Sequence, residues 1–462
     1  MQTVHISDHM TYRKIFRLTY APVLMMIFTS IYSIVDGVFI SNVVGKTAFA
    51  GINLIFPITM IVGGIGFMLG TGGAALSSKK FGQQNPERAN RIFSIIITFT
   101  LALGLIASVG GFFAVRPVAR VMASVSSSAS EEMIDYATNY GRILMLGQFA
   151  FMLQNVFQSY FMVAEKPRLG FLLTLAAGVT NMILDAILVW ACKFGVIGAA
   201  CATVGGYLVG GFGPLIYFAV NKKGMLHLIK AKWEFHPIWR AITNGFSEFV
   251  SNISMNIVSI VFNIQLLKYI GENGVAAYGA LMYISFIFIS IFIGYSIGVA
   301  PVVGYNFGAK NHTELRNVLT RTCLIMIILQ VSMCLLCGCL ARPLAMIFAR
   351  GDEELIALAA RAMRINALSF LVVGMAIFSS SFFTALNNGL ISAIISVCRT
   401  LIFELGSVLL LPLLVGGDGI WWSIVLSEVL ALLMAFAFLY GYRNRYGYGK
   451  NIPPEQSTDS PS

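Results

Sequence analysis

The chain has 462 residues, of which 57% are hydrophobic and 11% charged, and its mean hydropathy is +0.80. Globular domains average about 25% charged residues, so a water-soluble enzyme or binding domain is excluded as a reading of the whole chain. The formal charge of +11 sits in short basic clusters between apolar runs, a pattern that encodes membrane topology and does not build a nucleic-acid face.

In chain order, runs long enough to cross a hydrocarbon core of about 30 Å predict helices over residues 14–40, 50–78, 92–114, 133–162, 168–190, 196–220, 237–268, 275–304, 315–340, 358–386, 390–412 and 419–441. The runs exceed the length of tilted strands and do not alternate, which rules out a barrel. The polar start MQTVHISDHMTYRKIF is not a secretory signal. Clusters such as Lys79, Lys80, Arg88 and Arg91, or Lys222, Lys223, Lys230 and Lys232, fall on the same side as the N-terminus. This bias predicts cytoplasmic termini.

The chain repeats itself. FGQQN at Phe81–Asn85 returns as FGAKN at Phe307–Asn311, an offset of 226, and GVIGAA at Gly195–Ala200 lines up with GGDGIW at Gly416–Trp421, an offset of 221. A duplicated six-span unit keeps its orientation, so the two copies should be related by a pseudo-twofold axis along the membrane normal. The expected organisation is a six-helix bundle over 1–220, a linker over 221–240, a second bundle over 241–442 and a disordered cytoplasmic tail over 443–462. The linker stretch Asn221–His236 is basic and amphipathic and predicts a surface helix.

Polar groups inside the spans are the candidates for function. Asp36 lies within the first span, where a carboxylate costs at least ~2.5–3.5 kcal/mol and therefore faces a cavity, a partner or an ion path. Asn181 and Asp185 are four apart on one face of the fifth span. Thr203 in the sixth span and Tyr140 in the fourth fall at similar depth. Two carboxylates with amide and hydroxyl oxygens suit a proton or a hard cation such as sodium. Lone Asn and Thr side chains also hold helices together, so Asn181 and Thr203 carry both readings.

The second half does not duplicate this set: Phe262 stands where the repeat would place Asp36, and Gly406 where it would place Asp185. It offers Glu248, Arg399, Glu404 and Glu428 instead. Similar depth suggests a Glu248–Arg399 ion pair and a second protonatable site from Glu404 and Glu428. Met25, Met26, Met60 and Met255 are weak candidates for a cleft accepting many shapes. Cys334, Cys337 and Cys339 read better as small packing residues than as a metal cluster. The glycines of Gly63–Leu76 fit close helix packing, since no strand precedes them. No Walker sequence or catalytic constellation is present in the sequence, so neither ATP nor another cofactor is expected.

Twelve spans in two halves, FGxxN after spans 2 and 8, and Asp36 paired with NMILDAIL of span 5 resemble the multidrug and toxic compound extrusion (MATE) family over residues 13–442. The resemblance implies a V of two bundles exporting organic cations against a proton or sodium gradient. It carries the coupling role to Asp36, Asn181, Asp185 and Thr203, with sodium as the metal if one is used, and less firmly to Tyr140. One branch of the family pairs an acid of span 7 with an aspartate of span 10. Glu248 matches the first, and span 10 here carries no acid. The rival reading is a lipid-linked oligosaccharide flippase of related architecture, whose cleft needs basic residues for pyrophosphate; only Arg142 and Arg399 lie inside spans. The expected setting is a bacterial cytoplasmic membrane, with the protein working as a monomer and without nucleic acid.

Overall fold

A computed structural model describes residues 4–43, 46–124, 131–230, 232–348 and 352–449; the side chains of 33–43, 46–50, 53, 54 and 124 lie outside that description. Without water to satisfy backbone groups, apolar runs of this length close their hydrogen bonds within helices. The helices are α1 (Tyr12–Val43), α2 (Lys46–Gly82), α3 (Pro86–Ser124), α4 (Glu131–Val163), α5 (Pro167–Asp185), α6 (Gly195–Val220), α7 (Phe235–Tyr269), α8 (Glu272–Gly308), α9 (His312–Phe348), α10 (Glu353–Ala367), α11 (Phe370–Ala385), α12 (Gly389–Val397), α13 (Leu405–Val415) and α14 (Asp418–Gly441). Two π-helical segments, Ala186–Ala191 and Cys398–Glu404, continue α5 and join α12 to α13.

Among the described residues, ten helical segments are long and apolar enough to span a membrane. An eleventh arises if α10 and α11 are one span bent by 53°. That bend has a local cause. Ser369 Oγ donates to the Asn366 carbonyl at 2.7 Å, and Asn366 Nδ2 donates to Ser285 Oγ at 2.9 Å, so side chains interrupt the backbone ladder where it turns. The remaining expected span is α4, 33 residues long but more polar. It is the centre of the first half, packed by α2, α3 and α6. Its amides are used on neighbours: Gln148 Nε2 donates to the Thr59 carbonyl at 2.9 Å, and Asn155 Nδ2 to that of Gly63 at 3.1 Å.

The halves meet where α1 packs on α8 and α2 packs on α7 and α8. The repeated FGxxN element makes the crossing. A Cβ at Gly82 would overlap the Tyr305 carbonyl, and a Cβ at Gly308 would overlap that of Lys79. Both pairs keep the 226-residue offset, so the same contact is made twice across the pseudo-twofold axis. Lys79 also places its ammonium 4.8 Å from the Phe307 ring centroid. This seals the halves together on the face that carries the start of α1, called here the N-terminal face.

Two expectations are corrected. Residues 221–230 and 232–234 form turns and extended chain instead of an amphipathic surface helix. The first turns of α3 supply competing partners: His227 N–H donates to Asn90 Oδ1 at 2.8 Å, Ile229 N–H to Ser94 Oγ at 2.9 Å, and Arg88 holds Glu234 through bonds of 2.9 and 2.6 Å. Arg443–Gly449, expected as the start of a disordered tail, folds back instead. Tyr446 and Tyr448 are buried against Phe307, Phe382 and Phe383, and Asn388 Nδ2 donates to the Tyr446 hydroxyl at 2.9 Å. The rest of the tail, 450–462, lies outside the described residues. In α9, Cys337 is buried with its thiol 3.7 Å from the Met363 carbonyl, while Cys339 is exposed.

Candidate cation site

A cavity with room for about one water lies inside the first half, lined by Tyr32 of α1, Gln154 of α4, Ala177 and Asn181 of α5, and Thr203, Gly206 and Tyr207 of α6. Asn181 and Thr203 are 3% and 8% exposed. Asn181 Nδ2 approaches Thr203 Oγ1 at 3.5 Å, and the Thr203 hydroxyl donates to the Ala199 carbonyl at 3.0 Å. Two buried amide oxygens, Asn181 Oδ1 and Gln154 Oε1, have no hydrogen-bond partner among the described residues. Leaving such a group unsatisfied costs about 1–3 kcal/mol, and amide oxygens are ligands for hard cations and acceptors for a proton-bearing one.

Asp185 is the last residue of α5 and is 3% exposed. It stands one turn beyond Asn181, where the chain becomes π-helical, a local widening that recurs at functional sites. Asp36 lies on α1 one turn beyond Tyr32, and its side chain lies outside the described residues. Both acids follow the cavity in the direction away from the N-terminal face, because α1 and α5 both start there. Tyr140 is not on the cavity wall. It is buried in an apolar cluster with Leu144, Phe151, Val189 and Ala199.

Gln154, Tyr32 and Tyr207 are the wall residues that the sequence reading missed. A signal existed in the polar run Gln148, Gln154, Asn155 and Gln158 of span 4.

The second half corrects one of the guesses made about its charges. Among the described residues, Arg399 pairs with Glu428 and not with Glu248. Its Nε is 3.0 Å from each carboxylate oxygen and a terminal nitrogen is 2.8 Å from Oε1. The two side chains are 17% and 8% exposed. Depth along a helix said nothing about lateral neighbours, and Arg399, in the π segment, packs beside α14. Glu428, engaged by Arg399, also lies within electrostatic reach of Glu404. Glu404 and Glu248 remain as partly buried acids within electrostatic reach of the guanidinium. Of the methionines, Met25 and Met26 are buried in α1, Met60 is half-buried, and Met255 is 45% exposed on α7.

The MatE family model matches residues 22–187 and 249–407, most of both halves. The chain belongs to the MATE family. As a MATE protein it is similar to the multidrug export protein MepA of Staphylococcus haemolyticus, 25% identical over 421 residues and 90% of each chain, and to MepA of Staphylococcus aureus, 24% identical over 420 residues and again 90% of each. In fold it is similar to a MATE protein crystallised in complex with MaL6, with a TM-score of 0.90, 21% identity, and 97% and 100% of the two chains covered. A multidrug resistance MATE family transporter in an outward-facing conformation superposes with a TM-score of 0.89 at 20% identity, covering 97% and 99%.

Proposed function

We infer that this MATE protein is a secondary antiporter that exports cationic or amphipathic organic compounds in exchange for protons or sodium. The observation that carries the reading is the cavity in the first half, lined by Thr203 and by Asn181 and Gln154, whose buried amide oxygens have no partner among the described residues, with Asp185 one turn beyond Asn181. A small cation held there satisfies groups that otherwise cost free energy. Asp36 and Asp185 supply the negative charge.

The two MepA relatives, named as multidrug export proteins, support the cargo class. The charges inside the spans point the same way. Arg399 is engaged by Glu428, and the Arg142 guanidinium lies 5.4 Å from the Phe112 ring centroid, which among the described residues leaves no cluster of basic groups inside the spans for a pyrophosphate cargo. With the N-terminal face cytoplasmic, as the Lys and Arg bias reads, the Gly82 and Gly308 crossing closes the inner side and cargo leaves outward. The setting is a bacterial cytoplasmic membrane and the working unit a monomer.

The test is ethidium transport in proteoliposomes under an imposed pH or sodium gradient. Asp185→Asn is expected to abolish gradient-driven transport, and Gln154→Leu to raise the ion concentration needed for half-maximal rate by about tenfold, one lost ligand contact. Wild-type rates in Asp185→Asn under both gradients would remove this site from the mechanism.

A further inference from the structure

Ahead of α1, residues 5–10 read His-Ile-Ser-Asp-His-Met, a histidine followed by an apolar residue, repeated after four positions. Each pair clamps one glutamate in the same way. His5 Nδ1 lies 2.6 Å from Glu165 Oε2 while Ile6 N–H donates to Glu165 Oε1 at 2.7 Å. His9 Nδ1 lies 2.7 Å from Glu314 Oε2 while Met10 N–H donates to Glu314 Oε1 at 2.7 Å. The apolar side chains are driven inward, Ile6 to 1% and Met10 to 0% exposure. Asn317 Nδ2 closes the second clamp, donating to the Met10 carbonyl at 3.1 Å and to Glu314 Oε1 at 2.8 Å. Hydrogen bonds to an ionised carboxylate are about twice as strong as neutral ones.

The two glutamates belong to different halves. Glu165 forms the corner between α4 and α5, and Glu314 lies in the first turn of α9. The Glu165 backbone has φ 57°, a conformation that Gly and Asn adopt more readily. At the corresponding corner between α11 and α12 the residue in that conformation is Asn387, φ 58°. Gln84, Lys193 and Lys310 share this conformation; what sets Glu165 apart is the carboxylate it presents to the N-terminal segment.

We propose that residues 4–10 are a strap that latches the two halves on the N-terminal face, with Glu165 and Glu314 as its catches, and that one clamp opens in every transport cycle. The strap ties together two corners on the face where α2 and α8 cross. Three residues, and so four chain steps, separate His5 from His9, a reach of at most about 14 Å, so a wide opening of this face breaks one clamp. The last clause rests on the transport reading; the latch itself does not.

The test is hydrogen–deuterium exchange on the full chain in lipid nanodiscs, comparing wild type with Glu314→Gln and with a His5→Ala, His9→Ala double variant. The imidazoles are 55% and 65% exposed, so the double variant decides the matter if Glu314→Gln fails to fold. Both variants are expected to exchange about tenfold faster in residues 4–10 and also across the crossing, residues 76–84 and 302–310. Faster exchange confined to residues 4–10, with the crossing at its wild-type rate in both variants, overturns the latch. Exchange needs no cargo, so a failure of the export reading in the Asp185→Asn assay is seen separately.

Discussion

Asn181, Thr203 and Gln154 reach the same cavity by different routes from sequence to space. The four-residue spacing of Asn181 and Asp185 follows from helical periodicity alone, so the sequence could place them on one face. Gln154 could not be singled out, because span 4 offers several amides and only packing separates them. Gln148 and Asn155 donate to backbone carbonyls of α2, whereas Gln154 lines the cavity. The Arg399–Glu428 pair teaches the same lesson, since both residues were visible as buried charges and their partnership was not. That pair yields a prediction. Glu428→Ala leaves a buried guanidinium alone and is expected to destabilise the protein by about 3–5 kcal/mol, while Arg399→Met with Glu428→Met recovers most of the loss. Thermal unfolding in detergent reads both.

At the scale of elements, hydrophobic periodicity found the spans but not their interruptions. The break between α10 and α11 comes from hydrogen bonds of Asn366 and Ser369, and the π segment after Asp185 lies against α6. The linker is the clearest failure. Its amphipathic pattern is genuine, yet the first turns of α3 offer bonds that hold the chain extended. The Arg88 hydrogen bond, with the further charge of Arg91, keeps the Glu234 carboxyl below its ordinary value of 4.5. A depressed carboxylate stabilises the folded arrangement above its unfolded value and loses that contribution as pH falls through the folded one. The linker is therefore expected to stay pinned at neutral pH and to loosen only as pH falls below the ordinary carboxyl value of 4.5. Amide exchange of residues 227–234, corrected for intrinsic rates, reads this; equal protection at pH 6 and pH 3.5 would show that Glu234 contributes nothing.

For the whole molecule, the repeat explains the crossing. One FGxxN element, used twice, packs against its own copy because the glycine lets two backbones touch. Gly308→Val is expected to force the N-terminal face apart, exposing Ser78→Cys, buried beside Gly304, to an impermeant maleimide added from that side. Gly82→Val should do the same, as the symmetry demands. Unchanged labelling in both would mean that another contact closes this face.

The sequence by itself determined the membrane, the spans and the duplication, and it pointed to Asp185, which is buried. These follow from composition, from period, and from the free energy of placing charge in hydrocarbon. Only the tertiary structure decided which amide completes the cavity, which acid Arg399 binds and what the N-terminal segment ties together. Those are contacts between helices, and a one-dimensional pattern fixes the depth of a residue along its own helix without fixing which neighbour it turns toward.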